Sequence, residues 1–488
     1  MIIARFERLL AAAAALAATA AWVVFFRADL VLSHYDAKAH LVVSRRVFDN
    51  LTPGWQQIGA VWLPLPHLLQ MIPVQIDLLY QTGASGSALS IGCFAVTAWA
   101  FARVILRATG SQLGAAVSTA LLALNPNLLY LHATPMTEPL LLALSALVVL
   151  WVSEWVESDA PAVPVKLAAV LFATTWTRYE GWFVVAAAGT LAALALWRRG
   201  VPLPDVARRT LRLAAWPMVA AALFLANSRI TVGSWFVSSG FFVPDPLYDG
   251  QPLRVLVGIW WGTHELSGYV TEIAALAAAL TVVVSAFRRK DAALVALALF
   301  AAALLPFAAF VDGHPYRIRY MVPLVAACAL WAGLATAFSR RLAPAVAAVL
   351  IAAALVESPP WDREAPMLVE AQWDVPNSRA RRAVSACLAD AYRGDKVMAS
   401  MGSLAHYMQE LSWRGFAIAD FIHEGNGIIW ETAMETGPAM HAGWMLVEEQ
   451  AEGGDVLAQR IRRDPDFVAG MERLCDGGGV ALYRRRTG

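Results

Sequence analysis

Residues 33–46, SHYDAKAHLVVSRR, hold one carboxylate, two histidines and three basic residues in fourteen positions. If this stretch is helical, Asp36 and His40 share a face at i and i+4, while Lys38 points elsewhere. Three more polar groups recur along the chain. Glu138 stands in ATPMTEPL, where Thr134 or Thr137 can cap a helix and the helix dipole favours an anion. Arg178, Tyr179 and Glu180 stand together in TWTRYEGW, and His314, Arg317, Arg319 and Tyr320 in DGHPYRIRYMVPL. Arginine suits a lipid phosphate, because its guanidinium is a planar bidentate fork that stays charged. A carboxylate beside such arginines suits a general base for an acceptor hydroxyl. If the phosphate leaves as a stable anion, no separate general acid is needed, unlike the paired carboxylates of glycoside hydrolysis. The structural alternative is that Asp36, Glu138 and Glu180 neutralise Arg178, Arg317 and Arg319 in a packing network. Their common sidedness, argued below, favours one external pocket.

The chain that must position these groups has 488 residues, 59% of them hydrophobic and 15% charged, with 19 tryptophans and a mean hydropathy of +0.54. That is too apolar for a soluble protein of this size and reads as a polytopic membrane protein. The net charge of +1 comes from short basic clusters between apolar runs, not from a groove-lining stripe, so nucleic acid is set aside as a partner.

The first apolar run, 9–26, is prolonged by WVVFF and lacks a small-x-small cleavage site before Arg27, so it reads as a retained span. Further runs lie near 86–106, 112–131, 138–156, 165–182, 183–197, 213–231, 268–286, 291–311, 318–338 and 342–357. These make about eleven crossings of the roughly 20 residues that a bilayer requires. Lys and Arg collect at every second gap: Arg5/Arg8, Arg103/Arg107, Lys166, Arg198/Arg199 with Arg208/Arg209/Arg212, Arg288/Arg289/Lys290, and Arg340/Arg341. The positive-inside rule then puts the N-terminus in the cytoplasm and the gaps 27–85, 232–267, 312–317 and everything after Glu357 outside.

The first external loop mixes Trp55, Trp62, Pro64, Pro66 and Pro73 with aliphatics, which suits short interfacial helices. Aromatic anchoring without chemistry explains its tryptophans equally well, and His67 reads as an interfacial helix residue. After Ser358 the composition turns mixed and charged. Helical signals at 377–393 and 404–411, with strand-like 396–401, FAIAD, HAGWMLVEE and VALYRRR, predict a small external α/β domain. Cys387 and Cys475 both fall in it, where an oxidising compartment permits a disulfide, and Cys93 and Cys328 fall in spans. No metal-ligand spacing such as CxxC or HExxH occurs. FIHEGNGIIW, with His423 and Glu424, reads as a glycine turn or an acceptor contact. FFVPDPLYDGQP reads first as a turn-rich connection.

An aspartate directly after the first span, a long first loop with Trp-Pro elements, MTEP heading the fourth span, RYEG, and RYMVPL near the end of the bundle resemble the GT-C superfamily of integral-membrane glycosyltransferases. Its protein O-mannosyltransferase and lipid A aminoarabinose transferase branches are the most similar. The likeness implies an all-α bundle over residues 1–357, with the first loop at 27–85 and an α/β domain at 358–488. It also implies a hexosyl- or pentosyltransferase that moves a sugar from a polyprenyl-phosphate carrier, with inversion, to a protein, lipid or polysaccharide hydroxyl on the extracytoplasmic face. By that resemblance Asp36 is the base, Arg317 and Arg319 hold the carrier phosphate with Arg178, and Glu138 lines the same pocket. His40, Lys38, Tyr179, Glu180, His314 and Tyr320 complete the expected surroundings. Many relatives place two adjacent acids in the first loop, whereas Asp36 is followed by Ala37, so no metal site or cofactor is expected and a divalent cation is left open.

A transporter or flippase is the rival reading. Against it stand the absence of an inverted duplication and of Gly/Pro-broken helices at corresponding positions, and the one-sided polar groups. A scaffold working through its C-terminal domain is a third. Arginine and alanine dominate over lysine, which points to a GC-rich bacterial genome and hence an inner-membrane location.

Overall fold

The computed structural model describes residues 2–158, 162–237, 243–286, 292–450 and 454–486. The basic cluster Arg288/Arg289/Lys290 and the opening FF of the 241–252 loop lie outside these residues. The chain divides into two compact units, one built from 1–27, 87–227 and 244–369, the other from 28–86, 228–243 and 370–488.

The first unit is helical. Among the described residues seven helices are long and apolar enough to cross a membrane: Arg5–Arg27, Ala84–Thr109, Glu138–Glu157, Glu180–Arg198, Leu203–Val232, Ala293–Val311 and Ile318–Phe338. Two bent pairs, Gln112–Leu124 with Pro126–His132 and Pro252–Ser267 with Tyr269–Ser285, bring the count to nine if each is one span. The chain is a multi-pass membrane protein. Of the eleven expected crossings, the two that fall short are Val165–Thr175, with 11 residues, and Ala343–Glu357, with 15. Both are below the roughly 20 residues that a perpendicular crossing needs.

The bends correct two expectations. Residues 252–267, expected within an external connection, form the Pro252–Ser267 helix, with Pro252 in its first turn where no N–H is required. Broken helices, expected not to pair at corresponding positions, occur twice. One bend of 113° falls at Gly268, whose φ of +81° is the left-handed region that glycine adopts freely. The other, of 74°, falls at Asn125 before Pro126. The Asn125 side chain caps the second half by accepting from the Leu128 N–H at 3.0 Å, and its amide donates to the Leu266 carbonyl at 2.6 Å. Asn127 donates to the same carbonyl at 3.2 Å and accepts from the Met367 N–H at 3.0 Å. The asparagines of one break therefore satisfy a backbone carbonyl at the other, which a low-dielectric surrounding demands.

Small residues bring spans close. A Cβ on Gly114 would stand 2.6 Å from the Gly333 carbonyl oxygen, so the Gln112–Leu124 and Val322–Phe338 helices meet backbone to backbone.

The second unit is α/β. Its sheet comprises β1 (Val397–Ala399), β2 (Phe421–Ile422), β3 (Trp444–Glu448), β4 (Met471–Gly477) and β5 (Val480–Arg485), in the order β2-β1-β3-β5-β4. The β1 strand runs parallel to β2 and β3, and β5 antiparallel to β3 and β4. Every residue of β1, β2 and β3 is buried, as strands covered on both faces must be. Expected helices appear as Val375–Ala391 and Leu404–Ser412. FAIAD, expected as a strand, instead turns at Ile418–Asp420 and the strand follows at Phe421. The Asp49 carboxylate explains this: it accepts from the N–H groups of Ile418 at 3.1 Å and Ala419 at 3.0 Å, taking donors a strand would use.

The first-loop helix Tyr35–Arg45 belongs to this unit. Its Leu41 and Val42, with Val74 and Tyr80 further along the loop, share one core with Val384, Leu388, Tyr407, Leu411, Phe421 and Leu446. Cys387 and Cys475 are bonded to each other, joining the Val375–Ala391 helix to β4 over a separation of 88 residues. Replacing both by serine should lower the stability of this unit by about 2–4 kcal/mol. Thermal unfolding of the full-length protein, with and without a thiol reductant, reads the effect: wild type should shift with reductant and the double variant should not.

Candidate functional site

The residues expected to do chemistry divide between the two units: Asp36, Lys38 and His40 in the second, the others in the first.

In the first unit Thr137, Glu138 and Pro139 open the Glu138–Glu157 helix, with proline and a carboxylate in its first turn. Glu138 is fully buried, and its carboxylate lies 3.0 Å from Arg178 Nη1. Arg178 also donates from Nη1 to Thr137 Oγ1 at 2.9 Å, and from Nε and Nη2 to the buried Glu180 carboxylate at 3.2 and 2.8 Å. RYEG and MTEP thus meet through a single guanidinium between two carboxylates, and Arg319 is near enough to oppose its charge. Tyr179 packs by ring edges on Trp182 and Phe224. His314 Nε2 lies 3.4 Å from the Tyr320 hydroxyl, and Arg319 lies 5.9 Å from the Tyr320 ring centre. Arg317 and Arg319 are both partly buried. This unit therefore gathers Glu138, Arg178, Glu180 and Arg319 in one charged cluster, with His314 and Tyr320 beside Arg319.

In the second unit Asp36 is in the first turn of the Tyr35–Arg45 helix and nearly buried. His34 Nδ1 accepts its backbone N–H at 3.0 Å. His40 does share the helix with Asp36, and its Nδ1 lies 3.1 Å from His67 Nε2, with the Trp62 ring 4.4 Å from the His40 ring. One nitrogen of that pair must donate and the other accept, so both imidazoles cannot be protonated there. Burial, then the His40 and Arg46 charges, hold His67 well below the usual histidine range. Lys38 faces the other way, where burial pushes its ammonium down against the pull of Asp374 and Glu410. Tyr35 donates from its hydroxyl to the Gly402 carbonyl at 2.7 Å, just past β1.

Sequence reasoning gave His34 no role, offered Arg46 only as a residue that steadies the loop against phosphate headgroups, and read His67 as an interfacial helix residue. Arg46 is buried, with Nε donating to the Gln57 carbonyl at 2.5 Å, and burial pushes it down to about 10. His34 lies in SHYDAKAH and His67 in LPLPHLL, but their partners, Glu370 and His40, lie 336 and 27 residues away.

The FIHEGNG stretch is a turn tied to the first loop. His423 Nε2 lies 3.2 Å from the Asn50 amide, Asn426 donates to Asn50 Oδ1 at 2.7 Å, and Gln57 donates to the Gly425 carbonyl at 2.8 Å. Burial pushes the Glu424 carboxyl up to about 7; the Met401 N–H it accepts and the Arg46 charge oppose that, and Asp455 adds to it. Between about 4.5 and 7 the folded chain therefore holds a proton that the unfolded chain has released, so stability falls as pH rises through that window. Glu424→Gln removes the group. Its stability advantage over wild type should grow between pH 5 and pH 8 by on the order of 3 kcal/mol, read as the difference between the two unfolding curves at each pH.

Among the described residues no group of three or more His, Cys, Asp and Glu side chains is arranged to hold a metal ion.

Two solved structures share this architecture. The crystal structure of ArnT from Cupriavidus metallidurans bound to undecaprenyl phosphate superposes with a TM-score of 0.56 at 11% identity, covering 96% of this chain and 97% of that one. The apo structure of the same protein gives 0.52 at 12% identity, covering 96% and 98%. The chain has an ArnT-like fold. The expected likeness to the lipid A aminoarabinose transferase branch of the GT-C superfamily is met at the level of fold. No family model and no curated protein matches the sequence. At 11–12% identity the ArnT likeness rests on the path of the chain over nearly its whole length. The ArnT-like path carries the Tyr35–Arg45 helix directly after the first span.

Proposed function

We propose that this protein is an inverting glycosyltransferase that takes a sugar from a polyprenyl-phosphate carrier on the extracytoplasmic face of a bacterial inner membrane and transfers it to a hydroxyl. The observation that carries the reading is a carboxylate, Asp36, in the first turn of the helix after the first span, in a chain with the fold of an ArnT whose structure holds undecaprenyl phosphate. In this reading Asp36 takes the proton from the acceptor hydroxyl as its oxygen attacks the anomeric carbon. The bond from that carbon to the phosphate oxygen breaks, and polyprenyl phosphate departs as an anion. Arg317 and Arg319 hold that phosphate, while Arg178, engaged by Glu138 and Glu180, fixes the electrostatic setting of the cluster. The N-terminus lies in the cytoplasm, residues 358–488 lie outside, and the Val165–Thr175 and Ala343–Glu357 helices are the short members of an eleven-span bundle.

The bent helix pairs are the feature a transporter would share. Here they pin each other through Asn125, Asn127 and Leu266. The cavity beside them, lined by Asn125, Ser267, Thr271 and Ser358, has room for about one water molecule, about 10 Å³. That favours a structural brace over a substrate path.

The test is turnover of a panel of radiolabelled polyprenyl-phosphate sugars by the purified protein with candidate hydroxyl acceptors, followed by release of free polyprenyl phosphate. Release with one sugar supports the reading and names the donor. Failure to bind any carrier overturns it.

A further inference from the structure

The Tyr35–Arg45 helix is capped in an unusual way. Helix N-caps are mostly Ser, Thr, Asp or Asn, whose short oxygens reach the second or third N–H. Here the cap is His34, in extended backbone geometry, and its Nδ1 accepts the Asp36 N–H at 3.0 Å. An imidazole nitrogen that accepts cannot carry the ring proton, so the proton sits on Nε2. Nε2 lies 3.4 Å from a Glu370 carboxylate oxygen, 336 residues further along the chain, in the same compact unit. Both His34 and Glu370 are buried. The carboxylate therefore fixes which tautomer His34 adopts and how its ring is turned, and it makes Nδ1 a stronger acceptor, as carboxylates do for metal-binding histidines.

Ser33, one residue earlier, has its hydroxyl committed to the Leu30 carbonyl at 2.9 Å. An asparagine at 34 would cap equally well and would end there. What histidine adds is a second nitrogen that ties the cap to a distant carboxylate. The tie falls on the backbone of Asp36 itself.

We propose that His34, oriented by Glu370, is a positioning residue that sets the backbone of Asp36 and thereby aims its carboxylate. This rests on the reading of Asp36 as the base. It adds a function for two residues whose shown contacts are with the Asp36 backbone and with each other. Tyr35, donating to the Gly402 carbonyl at 2.7 Å, anchors the intervening residue so that the first turn is held from both sides.

The test uses the full-length protein in lipid nanodiscs with His34→Ala, His34→Asn and His34→Gln. Alanine cannot accept the amide hydrogen. Asparagine can, and glutamine is polar but too long to cap well. Two readouts are taken: amide hydrogen exchange of the peptide covering Asp36, and donor kinetics. His34→Ala and His34→Gln should speed exchange of that peptide and lower kcat by about tenfold to a hundredfold, with KM for the donor little changed, since a misaimed base costs rate and not binding. His34→Asn should restore slow exchange and part of kcat, remaining below wild type because it lacks the tie to Glu370. If His34→Ala does not fold, the glutamine and asparagine pair carries the same contrast. Unchanged exchange in the non-capping variants, or an asparagine variant no better than glutamine, overturns the proposal. Exchange does not depend on catalysis: should Asp36→Asn prove active, the base reading falls while the exchange result still decides whether His34 positions this turn.

Discussion

Asp36→Asn should abolish sugar transfer while leaving the protein folded, inserted and able to bind its carrier. The substitution keeps the side chain's shape, and the backbone N–H that His34 holds is unaffected. What it removes is the proton acceptor. Loss of a positioned general base costs roughly a hundredfold to ten-thousandfold in rate. The check is single-turnover transfer alongside carrier binding: binding within a few-fold of wild type and no released polyprenyl phosphate is the expected pair of results. Transfer at the wild-type rate would remove Asp36 from the mechanism and leave the transferase with another base.

Arg178→Met should be nearly as damaging, through stability first. Glu138 and Glu180 are almost wholly buried, and both lean on this one guanidinium. Removing one partner from a buried ion cluster leaves uncompensated charge and costs about 3–5 kcal/mol. The triple variant Arg178→Met, Glu138→Gln, Glu180→Gln removes the stranded charges along with the arginine, so it should regain most of the lost thermal stability. It should not regain transfer if the cluster tunes the donor site. Unfolding in detergent followed by a transfer assay separates the two effects. A single variant as stable as wild type would show that water already compensates these carboxylates.

Much of this was legible in the chain, and the reasons differ by element. Spans announce themselves, because twenty apolar residues have few alternatives in water or lipid. MTEP and RYEG could be read as neighbours in kind, since acids and arginines near a bilayer need each other, and the structure brings Glu138, Arg178 and Glu180 together. Asp36 and His40 fell on one helix because their spacing is local. What could not be read was anything set by a partner far along the chain. The FAIAD segment has strand composition but turns because Asp49 takes two of its N–H groups. Residues 252–267 looked like a connection because the bend at Gly268 hides a helix from a window tuned to straight spans. His34 has no local mark of a cap, and Glu370 none of a tether.

The core shared by residues 41–80 and 384–482 has a consequence for how the protein is made. The segment carrying Asp36 leaves the ribosome well before residues 384–482, which supply most of the side chains it packs on. Between Gly86 and Glu370 lie 283 residues (87 to 369), which at about 5–20 residues per second is roughly fifteen seconds to a minute of synthesis. Throughout that interval the spans can insert while the Tyr35–Arg45 helix waits without its core. A nascent or truncated chain is thus a membrane protein before its first-loop helix has a core, and the segment carrying Asp36 matures only once residues 384–482 have been made.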